Sequence, residues 1–350
     1  MAETSSDFSP EFMDAYAGNE ILAAGIVFIL LEILFAIARY TASRIQTTQR
    51  GLDDWFIWPA LAANIILCVE ILILIPLGGV GFHLAAVEAQ HPEKIVAWYK
   101  GTYASAWLWA LAVALPKSAI LGFYLRFFSF RVERFIAYIV LIVVLCNFLA
   151  TGLTTTFECD PVRYQWDKTI ENGRCINMVA FYRWSSLPNI VTDAIMLVLP
   201  LPMIYQLHLG RIQRTGLAII FATGGLGIVS SCLRFAVFFD HDAYEDNTWT
   251  SVQLLKWTMI EPGVYFLVAC MPSFKILFQR AWIRFVSSYL GVTPSGENIA
   301  YVDGAMAACT IGGRKRDGDT RQDISDRSTR DSASVSFTVD EELGRVGHCF

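Results

Sequence analysis

The chain has 350 residues, of which 55% are hydrophobic and only 17% are charged, with a formal net charge of −5. An average soluble domain carries about 25% charged residues, so this composition excludes an ordinary soluble enzyme of the same length. The apolar content also excludes a disordered chain, and the negative charge excludes a basic nucleic-acid-binding domain, so we expect no nucleic acid partner.

Seven apolar stretches are each long enough to cross a bilayer as a helix, which needs about 20 residues. In chain order they are 21–40, 55–79, 104–128, 135–157, 181–205, 216–239 and 254–278. Their apolar residues run continuously instead of alternating with polar ones, which indicates helices and not strands. The sequence therefore predicts an all-α integral membrane protein, a seven-transmembrane helix bundle.

Lys and Arg residues near the span ends predict the side on which each loop lies, because cytosolic loops are enriched in them. The basic loops follow the odd-numbered spans, with Arg39, Arg44, Arg50, Arg126, Arg131, Arg134, Arg211, Arg214, Arg280 and Arg284. The loop between spans four and five is an exception, because it holds Arg163, Lys168 and Arg174. No Lys or Arg precedes the first span, which therefore does not resemble a cleaved signal peptide. The pattern predicts an N-terminus outside and a cytosolic C-terminus.

Two of the eight cysteines, Cys159 and Cys175, fall in a loop that this orientation places outside. The oxidising secretory pathway favours a disulfide between them, and the alternative is a pair of free thiols. The other six cysteines lie in spans or in the cytosolic tail.

The predicted organisation has four parts. They are an extracellular segment at 1–20, the membrane domain at 21–279, an interfacial helix at 280–290 and a cytosolic tail at 291–350. The apolar residues of 275–290 fall on one side of a helix, which is typical of an interfacial helix. The tail is rich in Gly, Ser, Thr, Asp and Arg, which predicts disorder. It is either a passive tail or a site of phosphorylation.

Ionisable residues inside the spans are costly and often mark function. Here they are Glu32, Glu70, Lys117, Asp193, Arg234 and Glu261. Residues four apart lie on the same face of a helix, so Asn189 should lie beside Asp193, and Trp257 beside Glu261. From this spacing we infer a buried polar cluster, built from spans three, five, six and seven. It is either a static network that holds the helices together or a ligand site that switches between two states.

Motifs of several other chemistries are missing from the sequence. It has no phosphate-binding loop, no His-x-x-x-His pair and no Gly-x-Ser-x-Gly turn. A retinal Schiff base needs a lysine deep in the last span, whereas Lys256 and Lys275 lie near its two ends. We therefore assign no catalytic residue, no metal ligand and no cofactor, and we expect no retinal.

Six short motifs follow one another in the predicted spans and loops. They are Gly51-Leu-Asp53-Asp54-Trp55; Lys117-Ser-Ala-Ile-Leu121 with Tyr124, Arg126 and Phe128; Cys159-Asp-Pro161 with Trp166 and Cys175; Asn189, Asp193, Pro200 and Pro202; Gly224, Ser230 and Arg234; and Trp257 with Glu261. This ordered set resembles the fungal rhodopsin-domain integral membrane proteins, which include the SAT4-type proteins and the Pth11-like receptors. The resemblance implies a seven-helix bundle with an outside N-terminus and a receptor-like role. It also implies a link to fungal secondary-metabolite gene clusters, and rhodopsin in the family name implies shape and not a chromophore.

The sequence leaves two main functions open, besides a transport or scaffold role. The first is a receptor-like protein of the plasma membrane, or of the endoplasmic reticulum, that binds a small lipophilic ligand from outside. A heterotrimeric G protein is a candidate partner besides the lipid bilayer. The second is a membrane-bound secondary-metabolite enzyme of the cyclase or isomerase type, in which a buried carboxylic acid donates a proton. Its candidate acids are Glu32, Glu70, Asp193 and Glu261, but Lys117 and Arg234 favour ionised neighbours and so favour the first function.

Overall fold

The computed structural model describes residues 15–45, 52–128, 130–167, 169–202, 211–237 and 246–290. The predictions for residues 1–14 and for the tail at 291–350 lie outside these ranges. Eight α-helices account for most of the described chain. They are α1 Asn19–Ile45, α2 Leu52–Gly78, α3 Leu84–Gln90, α4 Glu93–Phe127, α5 Arg131–Thr156, α6 Met178–Val198, α7 Arg211–Val237 and α8 Asn247–Leu290. The chain divides into two units, and the first, 1–208 with 215–274, contains every contact discussed below.

Five of the described helices are long and apolar enough to cross a membrane. Their candidate spans are Asn19–Arg44, Asp54–Gly78, Glu93–Arg126, Arg131–Thr156 and Thr248–Pro272. The fifth and sixth predicted spans correspond to α6 and α7, which fall short of that length or apolarity over the residues described. These observations confirm an all-helical membrane protein.

The outward face of α1 is apolar from Leu22 to Leu34. Leu22, Ile26, Leu30 and Leu34 lie four residues apart on one face, and each is between 45% and 63% exposed. A continuous apolar stripe of this kind is unstable in water and stable against lipid chains. The stripe therefore identifies a surface that contacts the bilayer.

The long helix α4 lies at the centre of the described packing. It packs against α2 and α5, while α1 packs on α2 and α5 packs on α6. Two apolar clusters extend across α1, α2, α4 and α8. One includes Leu121 and Phe266, and the other includes Ala112 and Met259. The charged residues of α4 and α8 described below therefore lie at the level where the two clusters meet.

A turn between α2 and α3 joins the beginning of α1 to the beginning of α8. The N–H of Ala17 donates to the carbonyl of Gly81 at 3.0 Å, and the N–H of Gly81 donates to the carbonyl of Thr248 at 3.1 Å. Gly81 has a φ of 98°, and a Cβ there would lie 2.6 Å from the backbone nitrogen of Gly18. Only glycine fits this position, because the backbone is left-handed and the neighbouring chain is too close for a side chain.

The loop between α5 and α6 contains the predicted disulfide. Cys159 and Cys175 are bonded across a sequence separation of 16, which confirms that prediction. They lie in two short antiparallel strands, β1 Cys159–Asp160 and β2 Arg174–Cys175, with a 3-10 helix, Val162–Gln165, between them. Closing a loop of this size reduces the freedom of the unfolded chain and stabilises the fold by about 3 kcal/mol.

The last predicted span and the predicted interfacial helix form one element. Helix α8 runs from Asn247 to Leu290, with Pro262 and Pro272 inside it. The change in composition near residue 280 therefore does not interrupt the helix.

Candidate functional site

Lys117 on α4 connects that helix to α6. The residue is 1% exposed, and its Nζ lies 2.5 Å from Oδ1 of Asp193. The same nitrogen donates to Oδ1 of Asn189 at 2.6 Å and lies 4.7 Å from the ring centre of Tyr265. A buried ammonium group needs such partners, because an isolated charge is very costly away from water.

Glu261 on α8 accepts hydrogen bonds from three other helices. The residue is fully buried, and its Oε2 accepts from Nε of Arg234 at 2.8 Å and from Nε1 of Trp109 at 3.1 Å. Its Oε1 accepts from Nδ2 of Asn189 and from Oγ of Ser231, both at 2.6 Å. The guanidinium of Arg234 also lies over the Trp109 ring, 3.8 Å from its centre, which is a cation–π contact.

Ser231 and Tyr265 join the two ion pairs into one network. The Oγ of Ser231 lies 3.0 Å from Oδ2 of Asp193, and the Tyr265 hydroxyl donates to the same Oδ2 at 2.5 Å. The two hydroxyls are 2.8 Å apart. Two cations and two carboxylates thus form a charge-balanced network that connects α4, α6, α7 and α8. We call it the ionic network, and its members are Trp109, Lys117, Asn189, Asp193, Ser231, Arg234, Glu261 and Tyr265.

A proline stands beside a member of the ionic network on three of these helices. Pro116 precedes Lys117, Pro188 precedes Asn189, and Pro262 follows Glu261. Proline removes a helix hydrogen bond and allows the helix to bend at that point. A bend at any of the three prolines would therefore move a network side chain directly.

A cavity of about 20 Å³ adjoins the ionic network. Its polar lining residues are Lys117, Asn147, Thr151, Asn189 and Thr192. A volume of this size holds about one water molecule. The described conformation therefore has no room for a larger molecule at this cavity.

The structure keeps three of the predicted site residues apart from the network. Trp257 is half-buried and has no polar contact to it among the described residues. The carboxylate of Glu70 accepts from the Ser105 hydroxyl at 2.6 Å, and Glu32 lies on α1 with no exposed surface. The carboxylates of the predicted spans therefore do not all belong to one site.

The second-span motif contributes to a separate contact. Asp54 pairs with Arg39 at 2.9 Å, and Arg39 also donates to the carbonyl of Ala269 at 2.8 Å. These contacts connect α1, α2 and α8 near the C-terminal end of α1. Gly51 and the Asp53 side chain lie outside what the structure describes.

The remaining motif residues lie around the network and not in it. The Tyr124 hydroxyl donates to the carbonyl of Met196 at 3.3 Å, and Arg126 is exposed at the end of α4. Pro161 follows a cis peptide bond, and the rings of Trp166 and Tyr103 form a T-shaped pair with centres 6.2 Å apart. Pro200 and Pro202 come directly after α6.

Three network members were not predicted from the sequence: Trp109, Ser231 and Tyr265. Tyr265 follows Glu261 by four residues, and Ser231 precedes Arg234 by three, so both spacings place them near a charged neighbour. Their residue types are common in membrane helices, so only the spacing could have identified Ser231 and Tyr265, and no such spacing marks Trp109.

Comparison with known proteins gives a family and several relatives. The family described as Fungal rhodopsin domain matches residues 38–280. The chain is 31% identical over 300 residues to the Polyenoic acids biosynthesis gene cluster protein Ba17b of Metarhizium anisopliae, covering 83% of this chain and 80% of that protein. No solved structure matches.

Two further relatives are more distant. The SAT4 family membrane protein of Emericella nidulans is 27% identical over 197 residues, which cover 55% of this chain and 49% of that protein. Receptor GIN3 of Arthrobotrys oligospora is 23% identical over 188 residues, which cover 54% of this chain and 44% of that protein. The chain thus spans less than half the length of each of these two.

Proposed function

The chain belongs to the fungal rhodopsin domain family, and from that premise we propose that it is a receptor-like membrane protein that senses a small lipophilic ligand. In this proposal the chain crosses the plasma membrane seven times, with its N-terminus outside and its C-terminus in the cytosol. The five candidate spans and the basic loops after odd-numbered spans support this arrangement. The Cys159–Cys175 disulfide, in a loop placed outside, supports it too. No retinal is part of the proposal.

The main support for the proposal is that two carboxylates of the ionic network compete for one hydroxyl proton, that of Ser231. Ser231 Oγ has a single hydrogen to donate, yet Asp193 Oδ2 and Glu261 Oε1 are both within hydrogen-bond distance. The network therefore has at least two hydrogen-bond arrangements that use the same side chains. A ligand that binds one arrangement better than the other shifts the population between them.

Three prolines connect a change of pairing in the ionic network to helix bending. Because Pro116, Pro188 and Pro262 each adjoin a network residue, a change of pairing is transmitted to the bend of three helices. Bending enlarges the 20 Å³ cavity, so the ligand enters a conformation more open than the one described. The inner ends of these helices then move relative to one another, where a heterotrimeric G protein is a candidate partner.

The relatives support a role beside biosynthesis. One is named a biosynthesis gene cluster protein and another is named a receptor. We therefore place the ligand among the lipophilic products or intermediates of a secondary-metabolite pathway. The alternative of a cyclase or isomerase is not favoured, because Asp193 and Glu261 are each engaged by a cation and by hydrogen-bond donors. Of the other two candidate acids, Glu70 already accepts from Ser105, and Glu32 has no surface exposed to a substrate in the described conformation.

Deletion of the gene and complementation test the proposal. We expect deletion to change the amounts of pathway products, and K117M to restore at most about a tenth of the wild-type response. Leaving Asp193 unpaired shifts the switch by more than about 1.4 kcal/mol, which is a factor of ten. The readout is the metabolite profile of each strain. K256M is the matched control, because Lys256 pairs with the exposed Glu20 at the start of α1 and should complement fully.

The purified protein separates the two functions. In nanodiscs it should leave any intermediate that the deletion strain accumulates unchanged. Conversion of that intermediate by the wild-type protein alone would establish an enzyme and contradict the receptor proposal.

A further inference from the structure

Glu32 differs from every other described carboxylate of the bundle. It lies on α1, has no exposed surface, and neither of its oxygens has a hydrogen-bond partner among the described residues. The described ion pairs do not include it either, whereas Asp193 and Glu261 each pair with a cation. The ionic network therefore does not account for the presence of Glu32.

The surroundings of Glu32 come from α1, α2 and α8. A Cβ on Gly263 would lie 2.5 Å from the Phe28 ring and 3.1 Å from Oε1 of Glu32, so α1 packs directly on the backbone of α8. The titratable side chains near Glu32 on the neighbouring helices include the thiols of Cys68 on α2 and Cys270 on α8, and the cation Arg39, two turns along α1, pairs with Asp54. Neither thiol brings a positive charge to the carboxyl group.

From this geometry we propose that Glu32 is a proton-binding site, a neutral carboxylic acid enclosed between α1, α2 and α8. A carboxylate that is buried without a cation or a hydrogen-bond donor is among the most costly groups in a membrane interior. Binding one proton removes the charge and leaves a group that tolerates apolar neighbours. The proton is thus a second ligand of the bundle, separate from the lipophilic molecule proposed above.

Release of this proton requires α1 and α8 to separate. An ionised Glu32 needs water or a cation, and in the described conformation the backbone of α8 at Gly263 lies directly against the carboxyl group. Gly263 follows Pro262, so the separation occurs beside the bend of the helix that also carries Glu261. Because any state that opens α1 from α8 lets the proton leave, proton release and opening favour each other.

Infrared difference spectroscopy of the full chain in nanodiscs at neutral pH tests the site. Subtracting the E32Q spectrum from the wild-type spectrum should reveal the carbonyl stretch of one protonated carboxylic acid per chain. E32L should remove the same band, and it provides a second subtraction if the Gln variant does not fold. E20Q is the matched control on the same helix, and it should remove only carboxylate bands, because Glu20 is exposed and paired with Lys256.

The outcome is decisive in either direction. Loss of the neutral-acid band in E32Q or E32L, and not in E20Q, supports a bound proton. Loss of carboxylate bands alone from the Glu32 variants would overturn the proposal, because it would mean that Glu32 is ionised in the closed bundle. Neither result depends on whether the protein is a receptor.

Discussion

Replacing Lys117 by Met or Asp193 by Asn alone should destabilise the protein more than replacing both together. Each single change leaves one uncompensated partner of a buried pair, which typically costs about 3–5 kcal/mol. The double change K117M/D193N removes both charges and keeps the volumes similar, so its cost should be smaller than that of either single variant. Thermal unfolding in detergent and the fraction of monodisperse protein after extraction measure the effect.

The pair of Lys256 and Glu20 is the matched control for this cycle. It is also a Lys–carboxylate pair with an Nζ–Oε2 distance of 2.8 Å, but the Glu20 side chain is 59% exposed. Exposed pairs contribute about 0–1 kcal/mol, so K256M, E20Q and their combination should all remain near the wild type. Additive losses for K117M and D193N would contradict the geometry, because they would mean that the two side chains do not interact.

Replacing Glu261 by Gln should cause the largest loss of stability of any single substitution in the ionic network. The carboxylate accepts from Trp109, Asn189, Ser231 and Arg234. An amide keeps the shape but removes the charge and places donors where donors already point. The expected cost is about 3–5 kcal/mol for the unpaired Arg234, with further loss from each unsatisfied donor.

The variant S231A is the comparison against which the loss of stability in E261Q is judged. Ser231 belongs to the same network but carries no charge, so its loss should cost about 1.5–3 kcal/mol, the range for a hydrogen bond to a charged group. Both variants are compared with the wild type by unfolding midpoints in the same detergent. If E261Q were no less stable than S231A, Glu261 could not be the centre of the network.

The charged members of the site could be predicted from the sequence, because charged residues are rare in membrane helices. Lys117, Asp193, Arg234 and Glu261 stand out in apolar runs, and the structure places them within one network. The sequence could not predict which carboxylates have partners, because that depends on how each helix is rotated about its axis. Glu32 and Glu261 therefore look alike in the sequence, although Glu32 has no hydrogen-bond partner among the described residues and Glu261 accepts four hydrogen bonds.

The fold, like the site, could be predicted from the sequence only in part. Hydrophobic runs and loop cysteines were sufficient to predict helices and the Cys159–Cys175 bond. The continuation of α8 from the last predicted span into residues 280–290 was not predicted, because the change in composition near residue 280 suggested a boundary. In a lipid environment a helix interrupted by proline persists, since neighbouring groups satisfy the freed carbonyl.

The contact of Arg39 with Asp54 and Ala269 was also missed. Arg39 was interpreted as a charge at a span end, which sets orientation, and Asp54 as part of a family motif. Their contact joins residues 15 positions apart on two helices, and neither helical spacing nor composition carries that information.

The proposed sensing function requires that the chain cross the membrane an odd number of times. Accessibility mapping of a tag at each end, in intact cells and after permeabilisation, tests that path directly. We predict that an N-terminal tag is labelled in intact cells, and that a C-terminal tag is labelled only after permeabilisation. Labelling of both ends under the same condition would require an even number of crossings and contradict the proposed arrangement.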